Sequence, residues 1–301
     1  MEKDKRVMVT GGSGFVGRRL KTFKPDWIYV SSKECDLLDY NSTREFIEFV
    51  KPDSILHLAG RVGGIKDNFE NQATFYYENT MMNTNLIHAA HECGVNRVLS
   101  SLSTCAFPDV AASYPFAEED LFSGPPAVSN FSYGYSKRGL HVQTISYREQ
   151  FGLNYSTFSP SNIYGIGDHF GKEASHFVAA LVHRVSEWDG NKITFWGTGE
   201  PLRQQLYIDD LCKIIPILLS KHNSSDPLIV CPDENLSIKQ MVKALIEQVN
   251  KKIKFDFNGR LDGQFRKDGS NFKLKKIIGN FNFTTFDVGV KKTYDWYMEK
   301  K

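Results

Sequence analysis

Short apolar runs alternate with longer amphipathic stretches through the first half of the chain, and the alternation is the strongest signal in the sequence. Arg6–Thr10 (RVMVT), Trp27–Ser31, Ser54–Leu58, Asn96–Ser101 and Leu153–Ser159 have the length and apolar character of buried strands. Between them the pattern predicts helices: one from about Phe15, one through about Val50, one over Glu78–Cys93 and one from Tyr133 to about Gln150. Ser42-Thr43-Arg44-Glu45 has the form of a capping box, Met81, Met82, Leu86, Ile87 and Ala90 fit a buried helix face, and Gly94 is a helix stop. This βαβαβαβ order predicts an α/β fold with a doubly wound, parallel, Rossmann-type sheet.

Past the fifth strand the texture changes. A helix is expected over His176–Trp188, a strand over Ile193–Trp196 and a turn at Gly197-Thr198-Gly199-Glu200-Pro201. Asp209-Asp210 should cap a helix to about Ser220, and Ser237-Ile238-Lys239-Gln240 should box a helix to about Val249. A strand over Lys251–Phe257, a lysine-rich helix from about Phe272 and a final helix complete the pattern. The expected division is a dinucleotide-binding domain over residues 1–163, rejoined by about 204–232, and a smaller α/β substrate-binding lobe over 164–301.

Composition narrows the class. The 301 residues carry a net charge of +2 with 41% hydrophobic and 24% charged positions, so neither nucleic acid nor an anionic membrane is expected as a partner. Five cysteines without a C-x-x-C pair argue for a reducing compartment and against a disulfide framework or metal site. A polar start running into a strand, and no apolar run of spanning length, point to a cytoplasmic protein.

The candidate chemistry collects at the carboxyl ends of the strands. Gly11, Gly12, Ser13, Gly14, Phe15, Val16 and Gly17 lie between strand and helix, where glycines allow a tight turn and close approach to a pyrophosphate. The second strand ends in Ser31, Ser32 and Lys33, with Arg18 and Arg19 in the preceding helix. Hydroxyls and cations suit a ribose 2′-phosphate, which favours NADP(H) over NAD(H), and Asp36 is placed to reach the adenine. Leu58 and Ala59 open a stretch of small residues where a cofactor backbone can pass.

Ser103 ends the fourth strand region, and Tyr133 and Lys137 lie one helical turn apart. A phenol normally titrates near ~10; an adjacent ammonium and an oxidised nicotinamide favour its phenolate and draw it toward neutrality. Ser103 can hydrogen-bond the same carbonyl. Cys105 is two residues away; a lone cysteine is most often a small buried hydrophobe, but a thiol here suits proton transfer at carbon beside a ketone. His176 is its candidate partner. Arg184, Arg203 and the run Asp262 to Lys267 offer cations and an aromatic for a nucleoside diphosphate, against the plainer reading of a solvated charged surface.

These segments, with HLAGRVGGI from His57, SPSNIYG from Ser159 and FWGTGEPLRQ from Phe195, resemble the extended short-chain dehydrogenase/reductases acting on nucleotide sugars. Within them the chain is similar to the GDP-L-fucose synthase family of 3,5-epimerase/4-reductases. The resemblance implies NADPH as cofactor, a GDP-sugar substrate and a homodimer. It implies Cys105 and His176 for epimerisation and Ser103, Tyr133 and Lys137 for reduction. Cofactor contacts would add Ser101, Pro160, Asn162, Ile163, Lys137 and His176; substrate contacts would be Asn162, Arg184, Trp196, Arg203, Asp262 and Lys267. The family's Gly-Pro-His-Asp-Asn reads Gly165-Ile166-Gly167-Asp168-His169 here. That loop lies beside the sugar and admits an alternative, 4-keto reduction of a related GDP-6-deoxy-heptose. A non-catalytic NADP-binding regulator of the same fold is the third reading.

Overall fold

The computed structural model describes residues 6–171, 176–249, 251–260, 262 and 264–301. The first half of the chain is β1 (Val7–Thr10), α1 (Phe15–Phe23), β2 (Ile28–Val30), α2 (Tyr40–Val50), β3 (Ser54–His57), α3 (Ile65–Glu70), α4 (Gln72–Glu92), β4 (Arg97–Ser101), α5 (Phe131–Phe151) and β5 (Asn154–Pro160). It continues through β6 (Asn162–Tyr164), α6 (Phe177–Ser186), β7 (Ile193–Phe195), β8 (Leu202–Arg203), β9 (Gln205–Tyr207) and α7 (Ile208–Lys221). The remainder is β10 (Leu228–Val230), β11 (Leu236–Ser237), α8 (Ile238–Gln248), β12 (Phe255–Phe257), β13 (Arg266–Lys267), α9 (Phe272–Ile278) and α10 (Phe286–Lys300).

The central sheet has six strands in the order β10-β5-β4-β3-β1-β2, with every pairing parallel. Its strands are buried on both faces, which explains their near-continuous apolar runs. Along β1, Val7 and Val9 enter one core with Leu20, Leu211 and Ile215, while Met8 enters another with Ile47, Leu86 and Leu140. Period-two alternation thus divides one strand between two helical layers. The chain returns to the sheet through α7 and β10, which pairs with β5.

That return is clamped by Arg97. Its buried guanidinium donates to the carbonyls of Leu218, Leu219 and His222 at the end of α7, each at 2.9–3.0 Å. Burial lowers its pKa to about 10, and helix-end carbonyls are the partial negative charge that suits it. Around the sheet sit small β-pairings, β11-β8-β13, β12-β7 and β6-β9, with α6, α8 and α10 packed on them.

Two caps differ from the sequence expectation. α2 starts at Tyr40, and Asp39 rather than Ser42 caps it, accepting from the Ser42 N–H at 2.6 Å. Asp209 and Asp210 lie inside the first turn of α7, where they hold Arg19 and Thr284 instead of capping. The Ser237 box forms as expected. Among the described residues no helix is long and apolar enough to cross a membrane, and no cluster of His, Cys, Asp and Glu could hold a metal ion.

Candidate active site

The glycine turn is shaped by contacts that leave no room for side chains. Gly11 has φ +70°, and a Cβ there would lie 2.8 Å from the Ala59 nitrogen. One on Gly12 would lie 2.8 Å from the Val30 nitrogen, and one on Gly17 would overlap the Gly11 carbonyl oxygen. The turn is therefore pressed between the ends of β2 and β3, with the N-terminus of α1 behind it. Gly14 occupies the cap position with no side-chain bond to the first helical N–H groups, the arrangement that suits an anionic phosphate.

At the end of β2 the polar residues divide their work. Ser31 and Glu34 form a reciprocal box: the Glu34 carboxylate accepts from the Ser31 N–H at 2.8 Å and from its hydroxyl, and the Ser31 hydroxyl accepts from the Lys33 N–H. Ser31 is thus committed to the turn, which leaves Ser32 and Lys33 exposed beside it. The two arginines are committed too. Arg18 donates to the carbonyls of Ser13 and Gly167, and Arg19 forms a bidentate pair with Asp209 at 2.6 and 2.9 Å. At the end of β5, the hydroxyls of Ser159 and Ser161 beside Pro160 are sealed with no partner among the described residues. The tight glycine turn with exposed Ser32 and Lys33 beside it fits a dinucleotide with a 2′-phosphate.

Ser103 caps a single 3-10 turn, Thr104–Ala106, accepting the Cys105 N–H at 3.2 Å. Helix α5 rests on that turn because residue 134 is glycine: a Cβ there would lie 2.7 Å from the Cys105 carbonyl. Arg138 ties the same two elements, donating to the Ala106 carbonyl at 2.6 Å. This packing brings Tyr133, 9% exposed, to Ser103 and Cys105. Lys137 donates to the Ser101 carbonyl at 3.0 Å, with its ammonium 5.8 Å from the Tyr133 ring centroid.

Burial is the largest influence on the protonation of both groups. Burial, and then the Cys105 charge, push the Tyr133 phenol well up, and the Ser103 hydroxyl only tempers this. Burial lowers Lys137 to about 8. The phenol is therefore held protonated, which is the form a proton donor in reduction requires.

Lys267 is placed on the thiol. Its ammonium lies 2.9 Å from the Cys105 sulfur, although 162 positions separate the two. Burial alone would raise Cys105; Lys267, Ser103 and Arg203 outweigh it and hold the thiol below its ordinary value. Arg203 pairs with Lys267 in register across β8 and β13, and its guanidinium donates to the carbonyls of Leu202 and Gln264. A cation at hydrogen-bond distance favours the thiolate form of Cys105.

The lobe side is looser. His176 is exposed at the N-terminal boundary of α6. Arg184 is exposed, donates to the Thr194 carbonyl and lies over the Phe195 ring at 4.7 Å. Trp196 is 70% exposed. Asp262 holds the neighbouring turn, accepting from the Thr198 N–H at 2.9 Å and its hydroxyl at 2.6 Å. No contact among the described residues joins His176 to Cys105.

The sequence reading missed a supporting chain beneath the site. His57 bonds Thr10 at 2.8 Å and Asn83 at 3.0 Å, and Asn83 reaches the Ser136 carbonyl at 3.4 Å. Burial and the nearby Lys137 lower His57 to about 3, so it stays neutral. Asn83 must accept from the ring at Nε2, which leaves Nδ1 to accept from Thr10. The four-residue spacing of Asn79 and Asn83 on a buried helix face was the available signal.

The fold and this constellation define a dinucleotide-dependent enzyme of the epimerase class. The model of the NAD dependent epimerase/dehydratase family matches residues 7–231, and the chain belongs to that family. It is 34% identical to the GDP-L-fucose synthase of Dictyostelium discoideum over 97% of this chain and 95% of that one. It is equally, 34%, identical to the probable GDP-L-fucose synthase of Drosophila melanogaster over 98% of each. Among solved structures, a GDP-L-fucose synthetase from Naegleria fowleri bound to NADP matches with a TM-score of 0.92 at 31% identity, covering 100% of this chain and 94% of that one.

Proposed function

We propose that the protein is an NADPH-dependent epimerase/reductase that converts GDP-4-keto-6-deoxy-D-mannose to GDP-L-fucose. The observation that carries this is the Lys267–Cys105 contact beside Ser103 and Tyr133: a proton-transfer thiol shares one cage with a protonated phenol. A simple reductase has no use for the thiol. The name of the relatives, and the NADP in the Naegleria structure, support the substrate and cofactor.

The residues divide the work as follows. The Gly11–Gly17 turn would hold the cofactor diphosphate, Ser32 and Lys33 its 2′-phosphate, and Pro160 to Ile163 with Lys137 its nicotinamide end. Bound NADPH supplies the hydride that C4 of the sugar accepts. Arg184, Trp196, Arg203, Asp262 and Asn162 surround the GDP-sugar from the lobe side. The 4-ketone acidifies the protons on C3 and C5. Cys105, kept toward thiolate by Lys267, removes a proton from carbon, while Ser103 and Tyr133 hydrogen-bond the ketone oxygen where enolate charge develops. His176 returns a proton on the opposite face. After both centres invert, Tyr133 gives its proton to the C4 oxygen as the carbonyl is reduced, and the Lys137 ammonium offsets the phenolate left behind.

The proposal extends to a cytoplasmic homodimer. Five free thiols support a reducing compartment. Exposed Tyr76 and Tyr77 on α4 and Phe131, Tyr135, Val142 and Phe151 on α5 support an apolar face for a second copy. Residues 1–163 with 204–232 would act as the cofactor half and the remainder as the substrate half.

The test is incubation of the 4-keto sugar nucleotide in deuterated water without NADPH, then with it. Label entering C3 and C5, followed by NADPH oxidation to GDP-L-fucose, is expected. NADPH oxidation without label would point to a 4-reductase, such as one acting on a GDP-heptose, and neither event would sink the reading.

A further inference from the structure

We infer that Gln204 is the positioning residue for Lys267: its buried amide bridges the end of the central sheet and the strand that carries Lys267, and so fixes how close the ammonium stands to the Cys105 thiol. This rests on the proposed role of Cys105 as a proton-transfer group.

Cys105 and Lys267 stand on separate elements. The thiol follows β4 of the central sheet, and Lys267 lies on β13, which pairs with β8. A 2.9 Å contact between such side chains persists only if the backbones beneath them are held at a fixed separation. Gln204 sits where the chain leaves β8, directly after Arg203, the residue in register with Lys267, and just before β9 pairs with β6. It is 5% exposed. Its Nε2 donates to the Pro232 carbonyl at 3.0 Å, just past β10 of the central sheet. The same nitrogen donates to the Gly269 carbonyl at 3.1 Å, just past Lys267, and Oε1 accepts the Gly269 N–H at 2.8 Å. Both amide protons and the oxygen are thereby used, and only this orientation of the amide serves two carbonyls and one N–H. The Cys231 thiol adds a weaker bond to the Gly269 carbonyl. On the other edge, Phe116 donates to the Asp268 carbonyl and accepts the Ser270 N–H, but Phe116 belongs to the loop between β4 and α5. Gln204 carries no charge, so its effect on the thiol passes through the group it places. Arg203 is held separately, by the Leu202 and Gln264 carbonyls.

The test follows the pH dependence of Cys105 alkylation by iodoacetamide in the full chain, read on the Cys105 peptide by mass spectrometry. The thiolate is the reacting form, and Cys105 is half-buried. The charged and titratable groups around the thiol are Lys267 on β13, Arg203 on β8 and Tyr133 on α5, with Lys137 on the same helix lowered to about 8. All except Lys267 are common to wild type, Gln204→Met, Lys267→Met and the double variant, so they cancel in the comparison. Gln204→Met keeps the side-chain length without its polar atoms, and should raise the alkylation midpoint by about one pH unit, as withdrawing an opposite charge does. In the Lys267→Met background the same change should move the midpoint by less than about 0.3 unit. An unchanged midpoint in Gln204→Met, or an equal shift in both backgrounds, overturns the assignment. If Gln204→Met does not fold, Gln204→Asn, which draws the amide back by one methylene, decides by the same two comparisons. No substrate is needed, so failure here is separate from failure of the proposed reaction. With substrate, Gln204→Met should slow deuterium entry at neutral pH about tenfold and recover at alkaline pH. A loss independent of pH would make Gln204 a structural residue and overturn the inference.

Discussion

The two sides of the cleft are built differently. On the sheet side, Ser103, Cys105, Tyr133 and Lys137 sit on strand ends and one helix, and each is held by a second element: the Ser101 carbonyl, the Gly134 contact, Arg138 and the His57–Asn83 chain. On the lobe side, His176, Arg184 and Trp196 are exposed. The difference follows from the work expected of each side. Proton donors must be placed before the reaction to avoid reorganisation during it, whereas side chains open to solvent stay accessible to a ligand. Lys267 crosses this division, because it belongs to a lobe strand but completes the sheet-side thiol.

Mutations can break or sharpen this contrast. The largest effect is expected on the sheet side. Tyr133→Phe should reduce NADPH-dependent turnover by about 10³-fold, since it removes a general acid, while deuterium exchange at C3 and C5 should slow much less, because Ser103 still hydrogen-bonds the ketone oxygen. Loss of both activities together would show that the phenol is equally needed for enolisation. In the same assay the wild-type reduction rate should decline above about pH 8, as the Lys137 ammonium deprotonates there.

Lys267→Met tests the crossing point. Removing the cation raises the thiol pKa, so less thiolate exists at neutral pH, and exchange should slow about tenfold for each pH unit by which the thiol rises. The acid limb of the exchange profile should move to higher pH, and the wild-type rate should be recovered at alkaline pH. An unshifted profile would return Lys267 to the diphosphate role first expected of it. The smallest effect belongs to the lobe: Trp196→Ala should raise KM a few-fold with kcat nearly unchanged, the signature of binding lost equally in ground and transition states. A drop in kcat instead would place the indole in the pre-organised half.

The legible part of the fold was its local part. Strand runs such as Val7–Thr10, the glycine turn and the Tyr133–Lys137 spacing are short-range patterns set by backbone sterics and helical periodicity, and they survive without knowledge of the rest of the chain. Helix ends were less legible. Asp39 and Ser42 both have capping chemistry, and which one caps α2 depends on the direction of the chain entering from Leu37 and Leu38, whose carbonyls are held by Asn85.

The sequence by itself determined the five alternating strands of the first half, the glycine turn at Gly11 to Gly17 and the Tyr133–Lys137 spacing, because each depends on residues close along the chain or on a repeating fold. Tertiary structure alone decided that Lys267 reaches Cys105, that Arg18 and Arg19 are committed to Gly167 and Asp209, and that the phenol is held protonated. Those outcomes depend on distance across the fold and on exclusion of water, and neither quantity is written in the spacing of residues along a chain.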